Sequence, residues 1–136
     1  MPGIRIRDLA PRGYLAFDLS DILGLLGERA IRSRWRAVAV WATGKERVEG
    51  QTELEDLAKA RSWIEGEHLN RLAHEDVQQV IDGEFSGFDQ GSDSPWVIIC
   101  AVDSTYYEVY SREPGVLQSV RAAFKDVSDC EQNYYD

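Results

Sequence analysis

Apolar and polar positions along this chain follow two rhythms, and each change of rhythm marks an element. Trp96 to Val102 is apolar without a break. Asp103, Ser104 and Thr105 interrupt it, and Tyr106 to Ser111 resumes with β-formers. The pattern predicts two antiparallel strands and a tight connection, the first strand covered on both faces. Arg34 to Thr43 predicts another strand, with a start as early as Ala30. Trp35, Ala37, Ala39 and Trp41 fall on one of its faces; Arg34, Arg36, Val38 and Val40 fall on the other. Alanines between two tryptophans leave room for a helix to cross. Val77 to Phe88 returns to the strand rhythm. Its arms beside Asp82-Gly83 are short, so that dipeptide reads as a bulge or bend within one strand.

Helical spacing fills the intervals. Ser20 is positioned to cap a short helix from Asp21 to Leu26, with Gly27 ending it. Thr52 with Glu55, and Ser62 with Glu65, form two capping boxes, in which a hydroxyl and a carboxylate satisfy each other's backbone N–H groups. They predict two helices, about 53–61 and 63–73; Gly66 would weaken one continuous helix by about 1 kcal/mol relative to alanine. Val116, Leu117, Val120 and Phe124 predict a last helix over about 115–125. Gly44 to Gly50 and residues 89–94 read as polar loops. Residues 1–12 read as an irregular leader, although Ile4 and Ile6 alternate with Arg5 and Arg7 and could add an edge strand. Tyr14 to Phe17 reads as a short strand. Residues 128–136 read as a frayed tail on which Tyr134 and Tyr135 could dock. Adjacent strands late in this order predict one α+β domain over 1–136. Its sheet is expected to be largely antiparallel, of about four to five strands, with helices on one face.

Composition narrows the function classes. A chain of 136 residues buries roughly two-thirds of its unfolded surface, enough to fold without a metal or disulfide. Fifteen basic against 24 acidic residues give a formal net charge of −9. Such a surface repels nucleic acid and anionic lipid and favours a cationic partner. Nine basic and five acidic groups lie in residues 1–47; six and nineteen lie in 48–136. No secretory or membrane-spanning pattern is present, and a cytoplasmic location is expected. Cys100 lies in the apolar run and Cys130 in the polar tail. Their different neighbourhoods argue against a bridge and suit a reducing compartment.

Candidate chemistry is sparse. Glu65 and His68 stand one helical turn apart, a spacing that lets two side chains reach one metal. Only one such pair exists, and the capping box already explains Glu65; no metal and no cofactor are expected. His74 is explained as a favourable charge at a helix C-terminus. Ser104 and Thr105 read as turn residues, and neither they nor Cys100 or Cys130 has a visible activating base. Phosphate-binding glycine motifs are absent. Arg29, Arg32, Arg34 and Arg36 flank Trp35, but the net charge makes nucleic acid an unfavourable partner. Asp82, Glu84, Asp89 and Asp93 cluster around the bend and the following loop as an acidic rim.

Aromatic content is the remaining signal. Strand alternation puts Tyr106, Glu108 and Tyr110 on one face; if Tyr107 and Val109 face the core, the first three point outward. Together with the acidic rim they suggest a protein-contact surface; the bland reading, which is favoured for the rings themselves, is that they finish a core with hydroxyls at its edge. The reading favoured is a small acidic protein-binding module, one concrete form being an inhibitor or immunity-type protein engaging a cationic partner. The alternative is an enzyme or small-ligand receptor with a pocket lined by Trp63, Glu65, His68 and Trp96. A structural homodimer joined at a sheet edge is the third reading.

Overall fold

The computed structural model describes residues 1–45 and 52–132. Its strands are β1 (Pro2–Ile6), β2 (Arg34–Gly44), β3 (Ile64–Glu65), β4 (Val77–Phe88), β5 (Val97–Val102), β6 (Tyr106–Tyr110) and β7 (Val127–Glu131). They form a single antiparallel sheet in the order β3-β2-β4-β5-β6-β1-β7. The helices are α1 (Leu19–Leu26), α2 (Glu28–Arg32), α3 (Glu53–Lys59), α4 (Gly66–Arg71) and α5 (Pro114–Arg121). A wider π-type turn, Leu72–Asp76, extends α4 into β4. The α+β class and the antiparallel sheet stand, but seven strands replace the expected four to five.

The strand count corrects two readings. The supposed leader contains β1, inserted between β6 and β7, with Ile4 and Ile6 fully buried. The supposed frayed tail contains β7, which pairs with β1 from Pro2↔Glu131 to Ile6↔Val127. Five-residue strands with two or three apolar positions carry too little periodicity to stand out. The Asp8 carboxylate anchors this corner by accepting the backbone N–H groups of Lys125 and Asp126. The predicted loop at Gly44 to Gly50 and the tail tyrosines lie largely outside the described residues; Gly44 itself ends β2.

One large core fills the helix-bearing side. Ile4, Ile6, Trp35, Phe85, Ile99, Tyr107 and Val109 from the sheet meet Leu19, Ile22, Leu54, Leu69 and Val120 from the helices. A smaller cluster of Met1, Ile98, Cys100 and Tyr110 lies apart from it. β5 is therefore covered on both faces, as its unbroken apolar run predicts. Its connection to β6 places Asp103 and Ser104 at φ +48° and +57°, the left-handed pair that suits a two-strand twist. Asp103 N–H donates to the Asp82 carboxylate at 2.8 Å and ties this turn to β4.

Caps and bulges adjust the expected boundaries. Asp18, not Ser20, caps α1, with Asp21 completing the box. The Thr52–Glu55 box opens α3 as predicted. The Ser62–Glu65 box does not form: Ile64 and Glu65 pair with Trp35 and Arg34, and α4 starts at Gly66. In β2 the pairing shifts between Val38 and Trp41, and Ala39 sits at φ +52°. This bulge breaks the strict alternation assigned to Trp35, Ala37, Ala39 and Trp41: Trp35 and Ala37 are buried, whereas Trp41 is 57% exposed. β4 runs through Asp82-Gly83 as one strand, opposite that shift. Among the described residues, no helix is long and apolar enough to cross a membrane.

Candidate functional site

The sheet face away from the large core carries most of the chemistry. Register aligns Val38, Glu84, Cys100, Glu108 and Arg5 in one cross-strand row. Arg36, Ser86, Ile98, Tyr110, Gly3 and Cys130 form the adjacent row. The two ends of these rows differ in access.

The β6–β1–β7 end is closed. The Tyr110 ring lies over Gly3, where any Cβ would sit 2.3 Å from it. Glu108 is buried and accepts from Arg5 Nε at 2.7 Å and from the Tyr110 hydroxyl at 2.7 Å. Tyr106 is half-buried, with the Arg5 guanidinium 4.5 Å from its ring centre. Burial pushes both the Tyr110 hydroxyl and the Cys130 thiol above their usual pKa ranges. Alternation thus places Tyr106, Glu108 and Tyr110 on a common face, but that face is not an outward contact surface there. Side chains of the flanking strands close it, Arg5 of β1 lying over Tyr106 and Cys130 of β7 beside the Tyr110 hydroxyl; the sequence shows these strands only as a leader with a possible edge strand and as a frayed tail. The premise of different cysteine neighbourhoods changes likewise: Cys100 and Cys130 pack in the same small cluster.

The β2–β4 end is open. Val38 is 54% and Trp63 is 40% exposed. Trp63 meets Phe88 edge-on, ring centres 5.2 Å apart. The guanidiniums of Arg34 and Arg36 lie 4.0 and 4.1 Å from its ring centre. A depression of about 390 Å³ runs along these groups, lined also by Val38, Glu84, Ser86, Ser92 and Asp93. A second hollow follows Val38 and Ala39 to Asp82, Glu84 and Cys100. Trp41 pairs across the strands with Asp82. Three of the four predicted acids, Asp82, Glu84 and Asp93, therefore surround exposed apolar groups. Asp89 does not join them. It accepts two hydrogen bonds from Arg29, at 3.1 and 2.8 Å, which hold its carboxyl below the usual range.

Trp63, Glu65, His68 and Trp96 do not converge on one pocket. Glu65 and His68 line an open cleft on α4 with His74 and Glu75. His68 Nε2 lies 2.5 Å from the Glu53 carboxylate, so its partner comes from α3 and not from Glu65. Trp96 is buried, donating its indole N–H to Ser33 Oγ at 2.9 Å, with Arg29 stacked 4.1 Å from its ring centre. Among the described residues, no three His, Cys, Asp or Glu side chains stand close enough to hold a metal ion.

Sequence reasoning did not single out Val38, exposed on the face that alternation gives it, and missed Trp41, whose exposure follows from the β2 bulge. It also missed Asp18. That carboxylate accepts the Tyr107 hydroxyl and the Val80 N–H inside the protein, and burial raises its pKa. The pair pins α1 to β4 and β6. No protein-family model, curated protein or solved structure matches this chain.

Proposed function

We infer that this chain is a protein-binding module and that its contact surface is the open β2–β4 end of the sheet, not the tyrosines of β6. The carrying observation is the bulge at Ala39, which turns Trp41 out to solvent beside the exposed Val38, on a strand bordered by Asp82 and Glu84. Exposed aromatic and aliphatic groups supply the energy of most contacts, and a polar rim sets the partner's sign. Here that rim contains Asp82, Glu84 and Asp93, and the whole chain carries −9. Both favour a cationic protein partner that offers an apolar residue to Trp41. An inhibitor or immunity-type role is the concrete form that this chemistry suits.

The test is affinity capture of the intact chain at low salt, beside Trp41→Ala and a Val38→Lys, Glu84→Gln double variant. These positions are exposed or half-exposed, so stability should stay within about 0.5 kcal/mol. A basic protein retained by the wild type, lost from both variants and released by salt supports the reading. Equal capture by all three forms removes it. Light scattering on the same samples tests the homodimer, which would appear as a mass of two chains.

A further inference from the structure

The two edges of the sheet are finished differently. On one side β3 has only two residues and pairs only with Arg34 and Trp35 of β2. Beyond it β2 is bulged at Ala39. A short edge strand and a bulge are common devices that stop another chain from pairing. β7 ends the sheet on the other side and has neither device. Its five residues pair with β1 in unbroken register, from Pro2↔Glu131 to Ile6↔Val127. Among the described residues, no strand lies on its outer side. A row of backbone N–H and C=O groups therefore faces outward, and an extended segment can add a strand on such a template.

The side chains of β7 select the occupant. Val127, Asp129 and Glu131 alternate with Ser128 and Cys130. Val127 packs on the large core, so Asp129 and Glu131 share the helix-bearing side, and both are exposed. Arg121 of α5 reaches Asp129. Glu131 and the exposed Asp126 carry the negative charge to both ends of the strand. A second copy fits poorly. Two fully overlapped antiparallel β7 strands would set Asp129 opposite Asp129, in a chain of net charge −9, and like charges directly opposite destabilise a strand pair. Lysine or arginine at alternate positions of an incoming strand meets these acids favourably. Antiparallel addition continues the pairing found throughout the sheet.

We propose that the outer edge of β7 takes an extended cationic segment of another protein as an added antiparallel strand. Backbone hydrogen bonds along Val127–Glu131 supply the contact, and Asp129 and Glu131 select lysine or arginine. This edge lies at the far end of the sheet from β2, so the proposal goes beyond the surface around Trp41 and stands or falls independently of it.

The test uses the intact protein and backbone-amide NMR with hydrogen exchange. The probe is a short capped peptide of alternating lysine and valine. One control peptide has glutamate in place of lysine. The other keeps the lysines but has every backbone nitrogen methylated, which retains the charge and removes the donors. The expected result is a saturable shift of the β7 amides with a Kd below about 1 mM. At about ten times that Kd, exchange of the outward β7 amides should slow about tenfold. Both control peptides should bind at least about tenfold more weakly. An Asp129→Asn, Glu131→Gln double variant should bind the lysine peptide about three- to tenfold more weakly. If that variant fails to fold, the three peptides on the wild type still decide. Equal binding of either control, shifts at Val38 and Trp41 in place of β7, or no saturation by about 10 mM overturns the proposal. Concentration-dependent shifts of the same amides without peptide also overturn it, because a second copy would then be the occupant.

Discussion

Gly66 separates two physical effects that point in opposite directions. Its N–H donates to the Ser33 carbonyl at 2.8 Å as the chain enters α4. A Cβ built there would lie 2.1 Å from the Ala30 carbonyl oxygen and 2.3 Å from that of Ile31. Both are backbone atoms of α2, so no rotamer change relieves the contact. Helix propensity alone favours alanine over glycine by up to about 1 kcal/mol. Forcing a methyl group into a closed contact typically costs about 1–3 kcal/mol, and more where backbone must move. Gly66→Ala should therefore lose at least about 2 kcal/mol net, the upper part of the overpacking range being the relevant one for a backbone clash. With a urea m-value of about 2 kcal/mol/M, the unfolding midpoint falls by about 1 M. Gly24 is the matched control: it lies in α1 with nothing within 4 Å of an added Cβ. Gly24→Ala should gain about 0.5–1 kcal/mol. Urea unfolding followed by far-ultraviolet circular dichroism measures both. A Gly66→Ala midpoint equal to or above the wild type would show that α2 and α4 do not approach as described.

Three further outcomes follow from the buried and paired carboxylates. Tyr107→Phe removes the hydroxyl that the half-hidden Asp18 accepts and should cost about 1–3 kcal/mol in the same urea assay; an unchanged midpoint would contradict that bond. The folded pKa of Asp18 is raised by burial, so its contribution is full below the ordinary carboxylate value and is lost as pH rises through the folded value. Asp18→Asn should flatten that part of the stability–pH curve. Asp89 has the opposite sign: Arg29 lowers its pKa, so its contribution is present above the ordinary value and is lost as pH falls through the folded one. The groups are half-exposed, which limits the effect to about 0.5–1 kcal/mol and makes it salt-sensitive. Arg29→Met should remove this acid-limb loss, as judged by unfolding at low and high salt; a steeper limb would refute the sign.

The sequence carried the elements whose burial is strongly periodic. The β5–β6 hairpin, the Thr52 cap, the end of α1 at Gly27 and the bend in β4 all follow from short-range chemistry. β1 and β7 were obscured because Pro2–Ile6 and Val127–Glu131 are stabilised chiefly by each other and by β6. Only the alternation of Ile4 and Ile6 with Arg5 and Arg7 hints at β1, and nothing local distinguishes β7 from a tail. The same omission exposed Tyr110 and Glu108 on paper. Glu108 looked like a surface charge because its partner, Arg5, lies 103 residues away. The four acids were legible as a group, but not that Arg29 would draw Asp89 aside. The bulge at Ala39 is not written in residue type, since alanine seldom takes a positive φ, and that bulge is what brings Trp41 to the surface.

The position of β1 also governs when the protein can be finished. Ile4 faces Val109 on one side and Asp129 on the other. A ribosome adding about 5–20 residues each second takes on the order of 5–20 s to produce those neighbours after Ile4 has been made. During that interval Ile4 and Ile6 have no strand to shelter them, while the β4–β5–β6 meander can zip up from nearby segments. Completion of the sheet is thus a late, long-range event, and nascent chains halted before residue 127 would present a sticky, half-paired β1 to holdase chaperones.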